Sequence, residues 1–336
     1  MNGHTRIAPL PPVKDRRTRL IALGVVQLCF GALCALFAVL IIFSMFAMRA
    51  LGQETAAGMN PQMTLMGMAF YCAIAAWFIT MGVGSILARR WARALILTSA
   101  WIWLVCGLSG TVFLGMMMGD MFDMMAANGQ TPPGFAQAMK ISMIVFSAVF
   151  YVAFPGALVL FYRGADVRAT CEYRNPAPSW TDACPMPVLA HVLLFVTLSV
   201  SMLLMGAYNW ALPFFGVILS GPGGAAAAIT VAGLSAGLAW GAYKLKPAAL
   251  WGSAALVLAW GGSAFVTFIR ADLMEFYEKA GVPPQQLDMM RPLLETGGFQ
   301  KPMLIGIPLW VVALLALLIY TKRYYGGADA PDPDPA

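Results

Sequence analysis

The sequence predicts an all-α, polytopic helical membrane protein whose eight transmembrane helices form two tandem parallel four-helix repeats, and three observations support this. First, 60% of the 336 residues are apolar and only 11% are charged, above and below the usual shares for soluble domains. Second, eight runs contain no Asp, Glu, Lys or Arg, and each is long enough to cross a bilayer core of about 30 Å at roughly 20 residues per helix. Third, the phrase DMFDMMAANGQTPP, residues 120–133, returns as DLMEFYEKAGVPPQ at an offset of 152 residues, with Asp120 on Asp272, Asp123 on Glu275 and Gly129 on Gly281.

Residues 1–19 are basic and begin MNGHTRIAPLPP, a composition that predicts disorder. The first span, 20–48, exceeds a signal-peptide core of about 7 to 15 residues and lacks a small-x-small cleavage site, so it is expected to be retained. Spans at 64–88, 94–118 and 141–162 complete the first repeat, residues 20–162. A linker rich in proline and charge, 163–186, joins it to the second repeat, 187–321, with spans at 187–219, 222–243, 247–269 and 302–321. The tail, 322–336, ends in the acidic, proline-rich GGADAPDPDPA and is also expected to be disordered.

Lys and Arg are enriched in cytoplasmic loops. With the N-terminus inside, the inner segments hold 15 of the 21 basic residues and the outer loops hold Arg49, Lys140, Arg270, Lys279, Arg291 and Lys301. Both termini are therefore expected to be cytoplasmic, in a plasma membrane of the bacterial inner-membrane type. Tyr162, Tyr243 and Tyr320 sit at inner helix ends as interfacial anchors should. The net charge of +6 suits anionic inner-leaflet lipid, and nothing points to nucleic acid.

The 152-residue offset also places Gly110 on Gly262 and Phe113 on Phe265. Because a four-span unit returns the chain to its starting side, both copies keep one orientation and imply a pseudo-twofold axis along the membrane normal. Each repeated phrase reads as a helix carried beyond the membrane, with Gly129 or Gly281 as a left-handed cap and Pro132 or Pro283 barring continuation. Asp120 with Asp123, and Asp272 with Glu275, are spaced to share a helix face. They are either a solvated face or an outer cation or partner site, and Asp120 and Asp123 are the pair less compensated by basic neighbours.

Ion-coupled carriers place charge within their spans, and these spans have none. His191 and Asn209 read as hydrogen-bonding residues near the two ends of span five. In span six, Gly233, Gly237 and Gly241 recur every fourth residue beside Ala228, Ala232 and Ala236. Such stripes let helices approach closely, here within the chain or, as the alternative, between two copies in a homo-oligomer. Methionines cluster at the outer side of the first half, from Met59 to Met68 and from Met116 to Met125. Thioethers bind Cu(I), but the second repeat has only Met274 there, so the cluster reads as apolar filler. Cys171 and Cys184 lie in the linker without a CxxC pair, which argues against zinc.

No Walker A, HExxH, G-x-S-x-G or dinucleotide fingerprint occurs. The sequence thus predicts no catalytic residue, no metal site and no cofactor. It favours a non-enzymatic scaffold that meets membrane lipids, with a protein partner at the outer hairpins or the inner linker. The alternative is a small-solute channel or uncoupled transporter with its path along the pseudo-twofold axis. Asn, Ser and Thr lining the spans at that axis would favour transport, whereas a sealed, Leu- and Gly-packed axis would favour the scaffold.

Overall fold

The computed structural model describes residues 14–50, 61–127, 133–295 and 300–325. The first half comprises α1 (Arg17–Ala50), α2 (Pro61–Ile86), α3 (Arg90–Ala127), α4 (Pro133–Ala148) and α5 (Phe154–Tyr162), the last two joined by a π turn at Val149–Ala153. Then come α6 (Ala165–Arg174), a 3₁₀ turn at Trp180–Ala183, and α7 (Met186–Leu204). A β-hairpin of β1 (Leu212–Phe214) and β2 (Val217–Leu219) precedes α8 (Gly221–Tyr243) and α9 (Pro247–Arg270). The chain closes with α10 (Leu273–Lys279), α11 (Pro284–Glu295) and α12 (Gln300–Thr321). Pro61, Pro133, Pro247 and Pro284 each open a helix, where the missing N–H has no intrahelical partner to lose.

Among the described residues, eight segments are long and apolar enough to cross a membrane: Arg17–Ala47, Thr64–Ile86, Arg90–Val112, Gln137–Tyr162, Met186–Tyr208, Gly221–Tyr243, Pro247–Arg270 and Pro302–Tyr324. Each predicted run overlaps one of them. In both halves the first two spans pair, α1 with α2 and α7 with α8, and the last two pair, α3 with α4 and α5, and α9 with α12. The halves join where α3 packs against α7 and α12.

Two tight turns on the linker side are built alike. The Ala88 and Arg89 amides donate to Ser85 and Gly84, and the Leu245 and Lys246 amides donate to Ala242 and Gly241. Ala88 and Leu245 have φ of 49° and 54°, the left-handed cap of a Schellman motif. A Cβ on Gly84 would meet Ala92, and one on Gly241 would meet Ala249. These turns correspond at an offset of 157 residues (Ala88 to Leu245), five more than the repeated acidic phrase. Five residues of helix are about 7.5 Å, so the two copies of the phrase are out of register with the turns below them.

The copies also differ locally. Asp120 and Asp123 lie within the unbroken helix α3, while Gly129 and Pro132 fall outside the described residues. The second copy was expected to continue its span as helix, but α9 ends at Arg270, with Ala271 and Asp272 extended at ψ of 144° and 132°. The reason is the Asp272 side chain, whose carboxylate accepts the Met274 amide at 2.9 Å and so starts a separate helix. The expected left-handed cap at Gly281 is present at φ 79°, with the Gly281 and Val282 amides donating to Glu278 and Tyr277.

Three other boundaries differ from expectation. The fifth span does not run through 219: α7 stops at Leu204, and Asn209, at φ 51°, turns the chain into the hairpin. Helix α1 begins at Arg17, inside the segment expected to be disordered, because Asp15 accepts the Arg17 amide at 2.9 Å and Arg16 pairs with Asp166 at 2.8 Å. Residues 322–325 are likewise ordered, since Tyr325 is buried; residues 1–13 and 326–336 lie outside the described residues.

The glycine stripe of span six is corrected in part. Gly233 and Gly237 are exposed, and a Cβ on either would meet nothing within 4 Å. The buried face of α8 is offset from them and carries Ala228, Ala232, Ser235, Ala239 and Ala242. Close helix approach occurs instead between α1 and α2, where a Cβ on Gly24 would lie 2.8 Å from the Gly82 carbonyl oxygen and one on Gly82 would lie 2.8 Å from that of Gly24.

Candidate functional site

The acidic pairs separate by environment. Asp272 is exposed and acts as the cap of α10, and exposed Glu275 pairs with Lys279 at 2.7 Å. Lys279 also donates to the Ile218 carbonyl at 3.0 Å, while its own carbonyl accepts the Asn209 amide nitrogen at 3.0 Å. This carboxylate pair is therefore tied into the hairpin face. The side chains of Asp120 and Asp123 lie outside those described, as do those of Met116, Met117, Met118 and Met121. Among the described residues no three His, Cys, Asp or Glu side chains are placed to hold a metal ion.

The turn of the β-hairpin takes its hydrogen-bond partners from α9. Ser263 Oγ accepts the Phe215 amide at 2.8 Å, and Thr267 Oγ1 accepts the Gly216 amide at 2.9 Å. Phe215 and Gly216 have φ of 43° and 97°, the type I′ turn of a two-residue hairpin. Phe214, Phe215 and Val217 remain exposed, an apolar tip beside Arg270.

On the opposite face the linker is a folded clasp rather than a loose strap. Arg16 bonds Asp166, Arg174 bonds Asp15 at 3.1 Å, and Arg90 pairs with Asp182 at 3.2 Å. Asn175 donates to the Ala88 carbonyl at 2.9 Å and accepts from Arg89 at 2.9 Å. The Arg17 amide and the Arg174 guanidinium hold the Asp15 carboxyl below its ordinary range. Burial pushes the Cys171 thiol up to about 11 and the Cys184 thiol up to about 12. Both stay protonated at pH 8, and the thiolate is the nucleophile. Neither is expected to react with maleimide in the native protein, whereas both should react after denaturation; native labelling at the rate of a free thiol would show the clasp to be open.

Each half is closed on the linker side by a buried polar node. In the first, Ser85 Oγ donates to the Leu20 carbonyl at 2.9 Å and lies 2.6 Å from Tyr162 Oη. In the second, His191 Nε2 is 2.8 Å from Ser253 Oγ and Nδ1 is 3.0 Å from Tyr325 Oη. His191 and Ser253 are fully buried. The sequence marked His191 as hydrogen-bonded, but its partners, 62 and 134 residues away, carried no sequence signal.

Between the halves lies a feature that sequence reasoning missed. Toward the linker face, Trp101, Ala190, Leu194 and Leu317 wall a cavity of about 410 Å³ between α3, α7 and α12. Toward the hairpin face, Val112, Leu198, Trp260 and Ile305 wall one of about 830 Å³, which adds α9. Cys106, Trp310 and Leu314 line both, so the two form one groove along the junction. It opens sideways: Val105, Leu108, Ile305 and Leu309 on its walls are 46 to 59% exposed. Its two aliphatic hydroxyls are turned to carbonyls of α3 itself, Thr98 to Ala94 at 2.8 Å and Ser109 to Cys106 at 2.9 Å. Gly110 and Gly306 line it with open space where a Cβ would be.

The fold, with eight helices long and apolar enough to cross a membrane among the described residues, is that of a multi-span helical protein of the integral-membrane type, with an apolar groove open sideways between its halves. Comparison of the chain with protein-family models, with curated proteins and with solved structures finds no match.

Proposed function

We propose that this protein is a non-enzymatic membrane component whose junction groove takes up the acyl chains of bilayer lipid. The carrying observation is the groove's lining, which apart from Tyr320 is mostly aliphatic and indole, and whose hydroxyls from α3, Thr98 and Ser109, are spent on that helix's own carbonyls. Ligand sites commonly occur between the helices of a bundle and combine apolar walls with a few polar groups; the scarcity of polar groups here matches a hydrocarbon chain. This lining also weighs against the alternative, a small-solute path between the halves. The clasped linker and the pinned hairpin present fixed surfaces to the two membrane faces, where a protein partner would meet paired rather than free charges.

Filling the groove is the test. Gly110→Phe and Gly306→Phe point side chains into open space, so the fold should be kept and the melting temperature should change little. The purified variants are expected to retain fewer phospholipids than the parent when counted by native mass spectrometry. Unchanged lipid retention, together with solute flux through parent proteoliposomes that Gly110→Phe blocks, would replace this reading with the transport one.

A further inference from the structure

A second trough lies on another face of α7. It has a volume of about 630 Å³ and runs between Val192, Val196 and Val200 of α7 and Ala236 and Trp240 of α8. Buried Ala239 and exposed Ala236 line it with small side chains, and the exposed Trp240 forms one wall. Its linker end is closed by Trp180, half-exposed, whose carbonyl accepts the Tyr243 hydroxyl at 3.1 Å. The ammonium of Lys244 also lines this end, 5.0 Å from the Trp240 ring centroid and 5.5 Å from that of Tyr243. Among the described residues Lys244 makes no ion pair, because the linker carboxylates Asp166, Glu172 and Asp182 are taken by Arg16, Arg90 and Arg168. The trough's own hydroxyl, Ser199, is spent on the Ala232 carbonyl at 2.9 Å.

We propose that this trough binds an anionic glycerophospholipid of the leaflet on the linker side, with one acyl chain along α7 and α8 and the headgroup phosphate on Lys244. The length fits: Val192 to Val200 is about 12 Å of helix rise, starting at the interface and entering the hydrocarbon zone. The charge fits as well, since an unpaired cation fixed over two rings offers a site for a phosphate. A choline headgroup would instead need those ring faces for its own ammonium, and Lys244 already covers them. A lysine that merely snorkels or complements the helix C-terminus would need no trough beneath it. This site shares no lining residue with the junction groove, so either proposal can fail without the other.

The experiment uses the full chain in detergent with equal amounts of phosphatidylglycerol and phosphatidylcholine, and reads retained lipid by native mass spectrometry. Lys244→Gln removes the cation; Ala236→Phe fills the trough from an exposed position and leaves the charge. Each is expected to weaken retention of one phosphatidylglycerol about fivefold, the scale of one lysine at a membrane surface. The double variant should lose at least as much as the larger single effect, because both changes weaken the hold on the same lipid. Lys246→Gln, a neighbouring cation outside the trough, should retain parental binding, and all variants should keep the parental melting temperature. Loss on Lys244→Gln without loss on Ala236→Phe, or equal loss of phosphatidylcholine, would overturn the proposal in favour of surface charge alone.

Discussion

Replacing Gly107 by alanine is expected to be among the most damaging single-methyl additions this chain can receive, costing about 3 kcal/mol of stability, the upper end of ordinary overpacking. A Cβ at Gly107 would overlap the Tyr151 carbonyl oxygen. That oxygen belongs to the π turn Val149–Ala153, which forms where Pro155 supplies no N–H to the carbonyl four residues before it. The obstacle is therefore backbone, not the end of a flexible side chain, and α3 can make room only by moving away from α4 and α5. Packing substitutes for the hydrophobic drive between helices in lipid, so such a separation is not repaid by burial. The control is Gly110→Ala, one turn further along, where a Cβ meets nothing within 4 Å and the expected change is below about 0.5 kcal/mol. Equal unfolding midpoints for the two variants in a denaturing-detergent titration would show that the close approach at Gly107 is not real.

The second large effect is expected at His191. His191→Leu leaves Ser253 Oγ and Tyr325 Oη buried without the ring that joins them, at about 1 to 3 kcal/mol for each unsatisfied group. The node ties α7 to α9 and to the chain just after α12, so the variant should also make the segment after Thr321 more open to proteolysis. Ser253→Ala and Tyr325→Phe added to His191→Leu should recover much of the loss, because apolar groups of similar shape in all three places leave nothing unpaired. A triple variant that is less stable than His191→Leu alone would contradict this account of the node.

The spans were legible because hydropathy and length respond to the same constraint, a hydrocarbon core that excludes charge. The β-hairpin was not, because its residues, ALPFFGVIL, are as apolar as the helix before them and extend the run without a charged stop. Asn209, Pro213 and the Phe-Gly pair at its tip were the local signs. The difference between the acidic phrases was present in the sequence: Asp272 is followed three residues later by Glu275, the pattern of a helix start, whereas Asp120 is followed by Asp123. Spacing could mark Gly233 and Gly237 as a stripe but not say which way the stripe faces, and so it missed Gly24, Gly82 and Gly107, whose partners lie on other helices. The clasp was read as a charged linker because Arg16 and Asp166 are 150 residues apart.

The most direct test of a lipid-filled junction uses Cys106, which lines both parts of the groove. In a variant keeping only this thiol, with Cys29, Cys34, Cys72, Cys171 and Cys184 replaced by alanine, a charged, membrane-impermeant thiol reagent is applied to both faces of sealed membranes. Reaction needs the thiolate, which does not persist in hydrocarbon. The account predicts no labelling in the membrane and full labelling once the protein is denatured; labelling of Cys106 in intact membranes, from either face, would show water in the groove and contradict it.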